Sequence, residues 1–99
     1  MTRVEKIVKI VEHYGIGVQM GVAQEECAEL IQAVSKVRRR GAGPETLGHL
    51  SEEIADTLIV CLQLLAAFDL AADTWEIMDR KLDRITKGDE HYEITDERS

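Results

Sequence analysis

Residues 51–68 read SEEIADTLIVCLQLLAAF, a nearly continuous apolar helix into which acidic side chains are set. Between Ile54 and Phe68 the only polar side chains are Asp56, Thr57 and Gln63. At about 100° per residue, Leu47, Leu50, Ile54, Leu58, Cys61, Leu65 and Phe68 form one stripe, which the spacing predicts to be core. Val60, Leu64 and Ala67 form a second stripe beside it, and Glu53 and Asp56 fall on that second side. A helix apolar over most of its circumference is normally buried over most of it, and a carboxylate carried inside must be neutralised, paired or bound to a metal. Fold and function therefore both turn on what meets Glu53 and Asp56.

Upstream, Gly41-Ala42-Gly43-Pro44 is a helix stop followed by a restart. The helix before it is predicted over about Val18 to Arg40, with Ala23, Cys27, Leu30, Val34 and Val37 as its core stripe and three arginines suiting its C-terminal dipole. Along one edge runs a different row: Gln19, Val22, Glu26, Glu29, Ala33, Lys36 and Arg40. Glu26 and Glu29 are neighbours on one face, and like charges so spaced destabilise a helix mildly unless a cation sits between them. A solvated charged edge is the plainer alternative. His49, four residues before Glu53, is either a ligand or outer donor for the same acids or a partly exposed helix histidine.

Further out, Thr2 is the expected N-cap of a first helix reaching Tyr14, its stripe being Val4, Ile7, Val8, Val11 and Tyr14. Gly15, Gly17 and Gly21 read as a turn, since no strand precedes them and their spacing matches no phosphate-binding loop. Downstream, Asp69 is the expected cap of a fourth helix over about Leu70 to Lys87. Its stripe is Ala71, Trp75, Met78, Leu82 and Ile85, with Lys81 and Arg84 flanking it. Trp75 fits a core or an interface better than a base-stacking platform. Residues 88–99, GDEHYEITDERS, have no helical period and are expected to form a flexible acidic tail, leaving 1–87 as one helical domain.

Composition agrees with an all-α chain: 31% of the 99 residues are charged, four are aromatic and one is proline. A 44% hydrophobic content supports a core, but a chain this short gains from association, so an antiparallel bundle of about four helices completed by a homodimer or homotetramer is expected. A net charge of −7 argues against nucleic acid and against an anionic membrane surface. The apolar run is too interrupted and too short for a membrane span of about 20 residues. No leader with a cleavage site is read, and Cys27 and Cys61 read as reduced core thiols, so a soluble cytoplasmic protein is expected.

The two acidic pairs sit on successive helices joined by a short turn, an arrangement that can bring four carboxylates together. Such a set is a hard oxygen donor group, suited to Mg²⁺ or alternatively Mn²⁺ rather than zinc or copper, and it lacks the Glu-x-x-His pairs of di-iron bundles. A few carboxylates holding a hydrated Mg²⁺ is a common way to hold nucleotide phosphates, and Lys36, Arg40, Lys81 and Arg84 would suit the outer phosphates. Phosphate hydrolysis is the expected chemistry.

Glu25-Glu26-Cys27-Ala28-Glu29-Leu30 followed by Glu52-Glu53-Ile54-Ala55-Asp56-Thr57-Leu58 resembles the Glu-x-x-Glu and Glu-x-x-Asp signature of the MazG-like, all-α nucleoside triphosphate pyrophosphohydrolases. The basic stretch RKLDRITKG at 80–88 is similar to a Lys-rich segment of that family. The resemblance implies Mg²⁺-dependent cleavage of an NTP or dNTP between its α and β phosphates, giving the monophosphate and pyrophosphate. It makes Glu26, Glu29, Glu53 and Asp56 the catalytic metal ligands. Lys36, Lys81, Arg84 and Gln19 are the expected substrate-binding residues. Two rivals stand beside it: a phosphoribosyl-ATP pyrophosphohydrolase-like enzyme, and a non-catalytic helical oligomerisation module whose acidic pairs are merely solvated.

Overall fold

The computed structural model describes residues 1–87; the expected acidic tail at 88–99 lies outside the described residues. Among the described residues the chain is all-helical, with α1 (Arg3–Tyr14), α2 (Ile16–Arg40), α3 (Pro44–Ala67) and α4 (Ala71–Lys87). It divides into two compact units, Met1–Asp69, which holds α1 to α3, and the segment from Leu70 onward, which contributes α4.

Local chemistry sets the helix ends. Thr2 closes a capping box on α1: its Oγ1 accepts from the Glu5 N–H at 3.1 Å, while its own N–H donates to Glu5 Oε1 at 3.1 Å. These bonds hold the Glu5 carboxyl below its usual range. Gly15 ends α1, donating to the Val11 carbonyl at 2.8 Å, and its own carbonyl takes the Gln19 N–H as α2 begins. Its φ of 85° and ψ of 148° lie in a region open essentially to glycine alone. The turn expected over Gly15, Gly17 and Gly21 is thus one residue, because a single glycine in that conformation redirects the chain; Gly17 and Gly21 are helical. Replacing Gly15 with alanine should therefore cost about 1–3 kcal/mol. Gly17→Ala should instead stabilise by up to about 1 kcal/mol, since an added methyl meets nothing within 4 Å and helical glycine is intrinsically poor. Urea unfolding of the two variants reads the opposite signs.

Gly41, at φ 92°, closes α2 with a bond to the Val37 carbonyl, and Pro44 opens α3. Between them Thr46 Oγ1 accepts from the Gly43 N–H at 3.1 Å and donates to the Gly41 carbonyl at 2.7 Å, fixing the three-residue turn. At the far end of α3, Asp69 is not the cap of α4. It takes a positive φ of 53° just past the Phe68 cap of α3, and Leu70 precedes α4, its carbonyl accepting from the Thr74 N–H.

Within the first unit α3 packs chiefly on α2 and, less extensively, on α1. Gln19 near the start of α2 bonds Gln63 near the end of α3, and Thr57 in mid-α3 bonds the carbonyl of Glu26 in mid-α2, so the two helices are antiparallel. The buried residues of this seam are Gln19, Ala23 and Ala33 on α2 with Glu53, Val60 and Gln63 on α3. This corrects the expected core. On α3 the second stripe, bearing Val60 and Leu64, faces α2, whereas Leu47, Ile54, Leu58 and Phe68 of the stripe expected to be buried are 44, 43, 58 and 49% exposed. On α2 the inner face is rotated toward the acidic row, leaving Cys27 and Val34 of the expected stripe exposed; Cys61 is exposed as well. On α1 only Ile7 is buried, with Ile10 and Val11 half-buried and Val4, Val8 and Tyr14 outside. The physical reason is close approach: Ala23 and Ala33 let the α2 and α3 backbones come together, where larger side chains would hold them apart. In α4 no residue is buried, and Trp75, Met78, Leu82 and Ile85 form an exposed apolar stripe.

Candidate metal centre

Because the seam is lined by the acidic row, Glu26 on α2 and Glu53 on α3 are carried into it, and Asp56, one turn beyond Glu53, stands at its edge. One carboxylate oxygen from each of Glu26, Glu53 and Asp56 lies within 4.8 Å of the other two. Glu53 is 8% exposed, Glu26 is half-buried and Asp56 is exposed. The hydroxyl of Thr57 reaches across to the Glu26 carbonyl at 3.4 Å, a tie between the two acid-bearing turns.

Glu29 stands outside this group of three but close enough to act on it. The Glu26 carboxyl is pushed up to about 7, first by desolvation, then by the charges of Glu29, Asp56 and Glu53. Glu53 is likewise raised, by desolvation and then by Glu29 and Asp56, while His49 opposes the rise. His49 Nε2 is 3.6 Å from Glu53 Oε1, one helical turn away on α3. It is not within the set of three, so it sits beside the acids and faces one of them.

Two oxygens decide what this cluster can do. Glu26 Oε2 and Glu53 Oε2 are buried and have no hydrogen-bond partner. A buried carboxylate oxygen without a donor is costly, and two in one cluster of like charges compound that cost. Oxygens about an octahedral Mg²⁺ with bonds of 2.0–2.1 Å lie roughly 3–4 Å apart, so the observed 4.8 Å limit is within side-chain adjustment of that spacing. The donors are all hard oxygens, the chemistry that Mg²⁺ or Mn²⁺ takes. The cluster fits such an ion.

The expected substrate-binding residues lie in three different places. Lys36 is half-buried on the same face of α2, two to three turns beyond Glu26, and lines a small cavity with Arg40, Glu45, Thr46 and His49. Gln19 is at the other end of the seam, where its Nε2 donates to Gln63 Oε1 at 2.8 Å in a buried pair, so its amide is engaged in holding α2 to α3. Lys81 and Arg84 are exposed on α4, in the second unit. Gln63 was the unrecognised partner, although its position as a lone amide amid apolar residues of α3 was a signal that it must be met by another polar group. No protein-family model, curated protein or solved structure matches the chain.

Proposed function

We propose that this chain is a Mg²⁺-dependent nucleoside triphosphate pyrophosphohydrolase of the MazG-like kind, cleaving an NTP or dNTP between the α and β phosphates. The observation that carries this reading is the meeting of Glu26, Glu53 and Asp56 in the α2–α3 seam, with two buried oxygens lacking donors. Glu26, Glu53 and Asp56 would hold the metal, with Glu29 beside them. When bound, the ion neutralises phosphate oxygens and lowers the pKa of a bound water. Water adds to the α phosphorus as the bridging bond to the β phosphate breaks, and pyrophosphate leaves. One of the acids, Glu26 or its neighbour Glu25, would accept the proton of that water. Thr57 and the Gln19–Gln63 pair hold the two helices in the register that keeps the acids opposed.

The enzyme acts in the cytoplasm as a homodimer or homotetramer in this reading. Among the described residues no helix is long and apolar enough to cross a membrane. The exposed apolar stripe of α3 supports association, since 99 residues bury few large side chains by themselves. The stripe alone would equally suit a non-catalytic oligomerisation module, so metal and turnover decide between the two.

The test incubates the protein with each NTP and dNTP and with phosphoribosyl-ATP in the presence of Mg²⁺, reading monophosphate and pyrophosphate. Turnover of NTPs or dNTPs with pyrophosphate release is expected. In parallel, Mg²⁺ at a hundred times its Kd should raise stability by about 2.7 kcal/mol. Absence of both thermal stabilisation and turnover would leave the acids as a solvated edge and the reading would fall.

A further inference from the structure

Helix α4 supplies nothing to the acidic cluster, and none of its residues is buried. Its apolar side chains are nevertheless ordered. Ala71, Trp75, Met78, Leu82 and Ile85 follow one another at intervals of four, three, four and three residues, and all five are exposed. That alternation is the a and d spacing of helices that pair side by side. An apolar stripe of this kind is normally covered by a second surface.

The charges beside the stripe are sorted by sign. At about 100° per residue, Asp79 and then Asp83 border it on one edge, and Lys81 and then Arg84 on the other. This sorting works against the helix itself. Three and four residues from Asp79 stand Glu76 and Asp83 but no cation, while Lys81 and Arg84 are three apart with no acid at those spacings from either. Like charges so placed destabilise a helix mildly. Lys87 reaches Asp83 at 3.8 Å, but among the described residues Asp79, Lys81 and Arg84 have no oppositely charged group within 4.0 Å.

We infer that α4 docks on α4 of a second copy, the two helices running parallel and in register, with the acidic edge of each against the basic edge of the other. A twofold axis along a parallel pair brings opposite edges together, whereas an antiparallel pair sets acid on acid and base on base. The edges are therefore complementary to those of an identical helix, and in one orientation only. The apolar stripe by itself would accept any apolar helix; the charges select a second copy. Asp79 and Lys81 fall at the e and g places, where paired helices meet through their charges. Lys81 and Arg84, expected from the sequence to bind substrate, then face carboxylates of the second copy instead of phosphates. A pair of 17-residue helices is weak alone, so it adds to the association proposed through the α3 stripe, which holds two copies close to each other. The inference does not rest on the hydrolase reading.

Disulfide cross-linking of the full chain with oxidised glutathione provides the test, in a background carrying Cys27→Ser and Cys61→Ser. Ile85→Cys should give a covalent dimer, because a parallel in-register pair sets position 85 against its own copy, while an antiparallel pair sets it near Ala71. Arg80→Cys, on the face opposite the stripe, should not cross-link. Lys81→Glu with Arg84→Glu makes both edges acidic, and Asp79→Lys with Asp83→Lys makes both basic. Either pair of changes, added to Ile85→Cys, should slow cross-linking on the order of tenfold through like-charge repulsion, and mixing the two proteins should restore it as a mixed dimer. Circular dichroism checks that each variant keeps its helices. The inference is overturned if Ile85→Cys does not cross-link, if Arg80→Cys cross-links as fast, if the charge changes leave the rate unaltered, or if mixing fails to restore it.

Discussion

Glu53→Gln is expected to reduce triphosphate turnover by about 100-fold or more and, at the same time, to make the metal-free protein more stable at neutral and alkaline pH. The first effect follows from removing a proposed metal ligand whose Oε2 is buried without a hydrogen-bond partner; losing even an outer-shell partner of a metal typically costs 10–100-fold. The second follows from the same geometry read without the ion. Desolvation and the neighbouring acids raise Glu53, and raise Glu26 to about 7, above the ordinary 4.5. Between those values these two carboxyls bind more protons in the folded chain than in the unfolded one, so their contribution to stability is expected to fall as pH rises from about 4.5 toward 7 and to stay low above it. A glutamine at position 53 removes one charge from that repulsion and flattens the profile, although it also gives up the His49 contact at 3.6 Å. Mg²⁺ should flatten the wild-type profile in the same way and leave Glu53→Gln unaffected. Thermal melts from pH 5 to 8, with EDTA or Mg²⁺, supply the check. A wild-type protein that grows more stable with pH in EDTA, or a variant with undiminished turnover, contradicts the assignment. An acid that were merely a packing residue would lose stability on substitution and would not trade stability for activity.

How much of this was legible in the sequence differs between the helices and their faces. The start of α1, the end of α2 and the start of α3 could be read almost to the residue because Thr2, Gly41 and Pro44 each impose a local geometry that needs no tertiary information. The meeting of Glu26 with Glu53 and Asp56 was likewise readable, since a three-residue turn forces α2 and α3 to lie side by side and the acids recur at i, i+3 on each. The facing sides were not readable. Hydrophobicity ranks a helix surface by apolar content, and on that scale the Ile54–Leu58–Cys61 stripe outranks the one bearing Glu53, Val60 and Gln63. What the ranking omits is that small and polar residues also pack: Ala33 is wholly enclosed, and Gln19 and Gln63 satisfy each other across the seam. A pattern that spots a lone buried amide has no means of naming its partner 44 residues away. Lys36 shared a face with the acids in the sequence, but its cavity depends on the path of the turn and on His49, which periodicity alone left between two readings.

Leu58→Glu should dissociate the protein into single chains and lower its melting temperature steeply. In the isolated chain Leu58 is 58% exposed and lines a groove of about 580 Å³ with Ile7, Ile10 and Leu62, between α1 and α3 and away from the α2 seam. A glutamate there would be hydrated if the chain worked alone, and a surface substitution of that kind changes stability by no more than about 0.5 kcal/mol. If a second copy covers the stripe, the same carboxylate is buried without a partner, at a cost of several kcal/mol, enough to exceed what one protomer contributes to a small helical interface. The two cases therefore differ in size as well as in kind. Light scattering behind size exclusion should give a dimer or tetramer mass for wild type and 11.1 kDa for the variant. The wild-type melting temperature should rise with protein concentration and that of the variant should not, because only association makes stability depend on concentration. Leu58→Ala gives the graded version, weakening association without introducing a charge. Should Leu58→Glu keep both the wild-type mass and its melting temperature, the exposed α3 stripe is no interface and the association proposed from it is wrong. The acidic seam on the opposite side of α3 would be untouched by that result, so metal binding measured on the same variant keeps the two conclusions separate.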